Sequence, residues 1–351
     1  MPTIIKGDKV LVSGANGYIA MWVVRTLLER GYAVRGTVRS ASKAKFMEAY
    51  FSALGYADKF ESVIVDDIMK DGAFDEAVKG VDAIAHTASP FTGNVQTHDD
   101  LIKPAVKGTV GMLESALKHG TQVRRIVITS SGAAVISPLD TPTVFTEVDW
   151  NEKDPQSVKE LGDKAPILPT GYRASKTLAE KAAWSFVEEH KAEIGWDISV
   201  INPPFVFGPA IHDFTTIASL NTSLQIWIST VTSSTPLPKE HLLYSESWVD
   251  VRDVALAHVL SLEKPDAGGE RIIVSAGTWN WQEWIDTANL LENPLKTLPF
   301  YKGEPSLLEA GKVEYLISFN TEKEQRILGI KHHTKLETAR DTLEDFAKRG
   351  W

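Results

Sequence analysis

Through the first two hundred residues, short runs of apolar and mostly β-branched residues alternate with longer segments whose apolar positions recur at helical spacing. The runs Val10–Val12, 33–38, Ser62–Val65, Ala83–Ala85, Ile126–Thr129 and Ile198–Ile201 are nearly continuous, as strands become when both faces of their sheet are covered. Between the first two, Ile19, Val23 and Leu27 mark one face of a helix, and Gly31 stands where a glycine ends one. This alternation predicts an α/β protein in which strands cross over through helices into a doubly wound parallel sheet. After residue 205 the alternation stops: prolines cluster, tryptophans become denser, and a smaller mixed α/β C-terminal lobe is expected. The boundaries read as 1–205 with a returning segment at about 245–262 for the first domain, and 206–244 with 263–351 for a substrate-binding lobe. The polar stretch 138–169 reads as a long surface excursion.

Composition narrows the partners. The chain has 351 residues, 43% hydrophobic and 24% charged, which excludes disorder and allows a large core. A formal charge of −9 argues against nucleic acid, whose phosphates need a basic surface. No basic and apolar leader is visible, and no run nears the ~18 apolar residues of a membrane span, so a cytoplasmic protein with no membrane contact is expected. With no cysteine and nine dispersed histidines, no metal site is expected; His332-His333 reads as a solvated pair.

The first run leads directly into Gly14-Ala15-Asn16-Gly17-Tyr18-Ile19-Ala20, a GxxGxxA spacing that opens the first helix. A diphosphate requires backbone N–H groups at a helix N-terminus and glycines that let the backbone approach it. Gly14, Asn16, Gly17, Tyr18 and Ile19 are therefore expected to bind a dinucleotide, on a Rossmann sheet. The second strand ends in Arg39 rather than a carboxylate. An acid there would hold a ribose hydroxyl, whereas Arg39 with Lys43 suits a 2′-phosphate, so NADPH/NADP is expected over NAD. Asp67 and Ile68, after the third run, either embrace the adenine or cap the next helix.

Tyr172 and Lys176 stand four residues apart in a helical segment, hence on one face. A phenol needs a nearby cation to act as an acid-base group near neutrality, and Lys176 is spaced to supply it. Ser131 closes the fifth run, at the carboxyl edge where ligands of open α/β sheets gather.

These motifs, with 202–204 (Asn-Pro-Pro), resemble the short-chain dehydrogenase/reductase superfamily, extended type, over most of the chain. The segments 34–39, 86–91, 104–109 and 248–253 are similar to its dihydroflavonol-reductase-like branch, and within that to fungal NADPH-dependent aldehyde and ketone reductases of the methylglyoxal and carbonyl reductase group. The resemblance implies reduction of a carbonyl, with Tyr172 as proton donor, Ser131 polarising the carbonyl oxygen, and Lys176 assisting Tyr172 and holding the nicotinamide ribose. It further implies that Thr87, Ala88 and Ser89 line the dinucleotide and that Pro203, Phe205 and Val206 seat the carboxamide. Phe91, Ile136, Thr170 and Phe205 flank these motifs and are expected to form a mostly apolar wall for a hydrophobic or aromatic carbonyl substrate. Where many superfamily members carry a relay asparagine, this chain has 105–108 as Ala-Val-Lys-Gly, so any proton relay runs differently. A monomer or homodimer is expected. An NAD-retaining epimerase, dehydratase or steroid dehydrogenase, and a dinucleotide-sensing regulator, share the scaffold. Trp279, Trp281 and Trp284 read as packing, with recognition of an aromatic ligand as the alternative.

Overall fold

The computed structural model describes residues 3–89, 95–137, 140–308 and 313–351. The apolar runs form parallel strands β1 (Lys9–Ser13), β2 (Ala33–Val38), β3 (Phe60–Ile64), β4 (Ala83–His86) and β5 (Arg125–Thr129). With β7 (Asp197–Asn202) and β10 (Arg271–Ile273) they make a seven-stranded sheet in the order β10-β7-β5-β4-β1-β2-β3. Pairing runs both ways from β1, with Val10 opposite Val34 on β2 and opposite Ala83 on β4. Connections therefore diverge there, leaving a crevice at the carboxyl ends of β1 and β4.

Successive residues of β1 enter different cores, because side chains alternate across a strand. Val10 and Val12 face the core that holds Leu27 of α1 (Tyr18–Glu29) and Val254 of α8 (Val251–Glu263). Leu11 faces the one that holds Met112 of α3 (Asp99–His119) and Phe186 of α5 (Tyr172–Glu189). Helices thus cover both faces, which is why these strands lack polar alternation. Helix α2 (Ala41–Ala53) completes the first face. Gly31 ends α1 at φ +95°, and Tyr32 N–H bonds back to Leu27 O at 3.1 Å.

The excursion at 138–169 contains β6 (Thr143–Phe145) and α4 (Lys153–Leu161). The second lobe holds a three-stranded sheet of β8 (Phe205–Phe207), β9 (Ser245–Asp250) and β11 (Gly277–Asn280). Strand β12 (Ile317–Phe319) pairs with β6. Around them lie α6 (Thr222–Val231), α7 (Lys239–Leu243), α9 (Trp281–Asn289), α10 (Glu322–Ile327) and α11 (Lys335–Lys348).

Two placements depart from the boundaries read in the sequence. Residues 271–273, expected in the substrate lobe, pair with β7 in the large sheet, since three residues beginning with an arginine give no strand pattern of their own. Residues 245–250, expected to rejoin the first domain, pair with β8 and β11, while the helix after them packs on α1. The motif at 248–253 fastens the C-terminal helix: Asp250 caps α8, accepts from Thr338 at 2.7 Å, and its partner Arg252 reaches Asp341 at 2.5 Å.

The tryptophans are core. Trp279, Trp281 and Trp284 are buried, with Trp279 and Trp281 edge to face at 4.4 Å and Trp284 meeting Trp248 at 4.8 Å. The histidine pair is not solvated as expected: His333 meets Asp253 at 2.7 Å, and His332 meets Glu324 at 3.1 Å and Asp253 at 3.4 Å. Burial opposes a charge on His332, but the hydrogen bonds to Asp253 and Glu324 outweigh it and carry its pKa up to about 9.

Candidate active site

The first turn after β1 is shaped by one backbone angle. Gly14 has φ +59°, and a Cβ there would stand 3.0 Å from the Ala88 Cα and 3.1 Å from its Cβ. Only glycine allows the chain to pass so near the end of β4. The Gly14 N–H bonds Thr37 Oγ1 at 3.1 Å and the Ala15 N–H bonds Thr37 O at 2.9 Å, so the turn hangs on β2. Helix α1 then begins after Gly17 with no side-chain cap and no acidic residue in its first turn. Its leading amides and the positive end of its dipole suit a phosphate, and the glycine cradle suits its close approach. Asn16 and Ile19 are half-buried beside this turn. The Tyr18 side chain turns inward, donating to Gly208 O at 2.9 Å, and so ties the turn to the second lobe.

Ser13 and His86, to which the sequence assigns no role, hold the opposite wall. Ser13 Oγ accepts the Thr87 and Ala88 N–H groups, each at 3.0 Å, and lies 2.9 Å from His86 Nδ1. Having accepted twice, the hydroxyl gives its proton to Nδ1, leaving the imidazole proton on Nε2. Burial, with the nearby Lys176 charge, pulls the His86 pKa down to about 4, so this ring stays neutral near pH 7. Thr87 also donates to Ser13 O. A spacing of 73 to 75 residues hides this clasp from any local pattern.

At the end of β2, Arg39 is exposed, while Lys43 is engaged by Asp213 at 2.8 Å. Arg39 is thus the freer of the two to meet a phosphate. Asp67 Oδ1 accepts from Met69 N at 2.8 Å and closes a local turn; it caps no helix, contrary to one of its two readings, because residues 65–80 form turns rather than a helix. Ile68 lies against Gly108 of α3.

The catalytic candidates lie on neighbouring elements: α5, which carries Tyr172 and Lys176, packs against the short turn after β5 that Ser131 caps. Ser131 caps a short turn after β5, its Oγ accepting from Ala133 N at 3.1 Å and its carbonyl accepting from Asn202 Nδ2 at 3.2 Å. Tyr172 opens α5 and Lys176 lies one turn on, its Nζ 5.9 Å from the Tyr172 ring centroid. The same ammonium donates to Ser89 Oγ at 3.1 Å, which brings β4, the dinucleotide crevice and α5 to one point. Behind it lies a cavity of about 20 Å³ bordered by His86, Ala105, Thr109, Ser130 and Glu180, room for about one water molecule. Ala105, from the stretch 105–108 that lacks the relay asparagine, borders this space together with the hydroxyls of Thr109 and Ser130 and the Glu180 carboxylate.

Pro203 is buried, its carbonyl accepting from Gly132 N at 2.8 Å; Val206 is buried and Phe205 half-buried at the start of β8. Thr170 is half-buried in the turn leading to Tyr172. Ile136 is buried in a cluster with Val135, Phe145 and Ile273, so packing accounts for it. Phe91 lies outside the described residues. Among the described residues no cluster of three or more potential metal ligands occurs, and no helix is long and apolar enough to cross a membrane.

Comparison with known proteins identifies the family and the fold. The profile of the NAD dependent epimerase/dehydratase family matches residues 10–277. The ketoreductase azaE of Aspergillus niger is 35% identical over 92% of this chain and 92% of its own. The NADPH-dependent methylglyoxal reductase GRE2 of Saccharomyces cerevisiae is 35% identical over 97% of this chain and 98% of its own. The crystal structure of yeast methylglyoxal/isovaleraldehyde reductase Gre2 with NADPH superposes with a TM-score of 0.85, at 34% identity over 97% of this chain and 98% of that one.

Proposed function

The chain belongs to the NAD dependent epimerase/dehydratase family, as the resemblance to extended short-chain dehydrogenases implied, and we propose that it is an NADPH-dependent reductase of aldehydes and ketones. The observation that carries this reading is the placing of Tyr172 and Lys176 on one face of α5, the Lys176 ammonium near the Tyr172 ring and bound to Ser89 beside the crevice, with the turn of Ser131 packed against the same helix. The names of the relatives favour reduction over epimerisation.

The residues present fit the cofactor. Gly14, Asn16, Gly17 and the start of α1 hold the diphosphate, Arg39 the 2′-phosphate, Thr87, Ala88 and Ser89 the inner edge, and Pro203, Phe205 and Val206 the carboxamide. When bound, NADPH supplies the hydride. Ser131 donates a hydrogen bond to the carbonyl oxygen, and Tyr172 gives that oxygen its proton as negative charge develops there. Lys176 offsets the charge left on Tyr172. Proton donation of this kind contributes typically ~10²–10⁴-fold, and the hydrogen bond aimed at developing charge adds to it. The half-buried Phe205 and Thr170 supply part of a substrate wall suited to an apolar carbonyl.

Purified protein incubated with methylglyoxal, isovaleraldehyde and aromatic ketones tests the reading. Oxidation of NADPH, with deuterium from NADPH labelled at C4 appearing on the alcohol carbon, is expected. Tightly retained NAD and no NADPH oxidation with any carbonyl would refute it.

A further inference from the structure

Beneath the catalytic trio lies a buried carboxylate that the reaction as proposed does not use. Glu180 sits on α5 one turn beyond Lys176 and two beyond Tyr172, and is 2% exposed. Its Oε2 accepts from Ser130 Oγ at 2.5 Å and from Asn202 Nδ2 at 2.8 Å, while Oε1 accepts from Arg271 Nε at 2.5 Å. Ser130 immediately precedes Ser131, Asn202 immediately precedes Pro203, and Asn202 also reaches the Ser131 carbonyl at 3.2 Å. One carboxylate therefore joins the helix carrying Tyr172 and Lys176 to the ends of β5 and β7.

Arg271 balances the charge and extends the brace. Its Nη1 donates to the carbonyls of Glu147 at 2.6 Å and Asp149 at 2.9 Å, and its guanidinium lies 3.6 Å from the Trp150 ring centroid. The strand β10 that carries it thus holds the chain on its way to α4 as well. A buried pair of this kind is poor evidence for stability, since apolar residues often do as well. What it does well is fix one geometry through directional bonds.

We propose that Glu180 is a positioning residue for the reductase reaction, its buried bonds to Ser130, Asn202 and Arg271 setting the spacing between Ser131 and the Tyr172–Lys176 face. This rests on the roles proposed above for those three residues. Glu180 also acts by charge. The other charged or titratable groups around it are Lys176 on its own helix, Arg271 on β10, His86 of β4 across the shared cavity, Lys181 over the Trp150 ring, and Glu147, whose carboxylate accepts from Ile273 N. Eight residues of helix separate Glu180 from Tyr172 by roughly 12 Å, near enough for an unbalanced charge to be felt.

The test compares Glu180→Gln, Arg271→Gln and Ser130→Ala in the full chain, with NADPH and methylglyoxal for reduction and with NADP and the product alcohol for oxidation. Glu180→Gln is expected to lower kcat on the order of 10–100-fold, the effect of a misplacement near 1 Å, with NADPH affinity unchanged. Oxidation delivers the alcohol proton to the site, so the pH midpoint of its rate reports the local charge. Glu180→Gln leaves Arg271 unbalanced and moves that midpoint down by roughly half to one unit; Arg271→Gln leaves Glu180 unbalanced and moves it up by a similar amount. Ser130→Ala, which changes no charge and covers the case of a variant that does not fold, is expected to lower kcat without moving the midpoint. Unchanged kcat in Glu180→Gln, shifts of one sign in both charge variants, or an unchanged kcat in Ser130→Ala would overturn the proposal. If Tyr172→Phe also keeps full activity, the fault lies in the reading of the site rather than in Glu180.

Discussion

Gly14→Ala should injure cofactor binding far more than it injures the fold. At φ +59° an L side chain costs about 1–2 kcal/mol relative to glycine. The added Cβ would also stand 3.0 Å from the Ala88 Cα, backbone that can move away only by shifting the end of β4. Ala88 is itself held by Ser13 Oγ at 3.0 Å, so the movement would pass into the wall expected to face the dinucleotide. The φ cost is present with or without cofactor and lowers the melt; affinity suffers through the shifted wall, and loss of one hydrogen bond to the charged diphosphate, about 1.5–3 kcal/mol, means NADPH binding on the order of 10–100-fold weaker, at 1.4 kcal/mol per tenfold. Gly31→Ala is the control. Its φ of +95° carries a comparable conformational cost, yet the nearest atoms to a Cβ there are on the Lys6 side chain at 3.9 Å. Fluorescence titration with NADPH and thermal melting of both variants separate the effects: both should melt lower, and only Gly14→Ala should bind poorly. Binding by Gly14→Ala within about twofold of wild type, or equal weakening in Gly31→Ala, would refute the cradle.

Arg39→Ala should weaken NADPH by about 10–100-fold while leaving NADH nearly unchanged, the value of a hydrogen bond to a charged group; Lys43→Ala, whose cation is already paired with Asp213, should do less. Equal losses for both cofactors in Arg39→Ala would remove it from the phosphate site. Acid should destabilise the fold through His86, His212 and His258, each pulled to about 4 chiefly by burial. These groups take up protons near pH 6.5 only when unfolded, so their contribution is present above 6.5 and is lost as pH falls toward 4. The slope is about 1.4 kcal/mol per unit for each, measurable by urea denaturation between pH 7 and 5. A flat profile would contradict their burial as neutral rings. On the alkaline side His332 works in the opposite sense. Raised to about 9, it contributes fully below 6.5 and its contribution fades as pH climbs through 9, a fall that His332→Gln should abolish.

Six of the seven strands of the large sheet were legible as apolar runs, most of them covered on both faces, with only the edge strand β3 partly exposed, whereas β10 is three residues long and opens with Arg271. The residues of the site that could be read are those whose meaning is local: glycines after a strand, or a tyrosine and lysine one turn apart. Those missed depend on partners far along the chain. Ser13 is an ordinary strand-end serine until Thr87 and Ala88 come to it, and Glu180 an ordinary helix glutamate until Arg271, 91 residues away, buries it. His332 and His333 looked solvated for the same reason, since Asp253 lies about 80 residues off. Lys43 likewise pairs with Asp213 of the second lobe, a partner 170 residues away that no local spacing shows.

Proton donation by Tyr172 is the step on which carbonyl reduction by this chain turns. Single-turnover mixing of the NADPH-loaded protein with methylglyoxal, wild type against Tyr172→Phe, measures it directly. NADPH affinity should be the same in both, and the rate of NADPH oxidation should fall on the order of 10²–10⁴-fold in the variant. Oxidation at an undiminished rate in Tyr172→Phe would contradict the account.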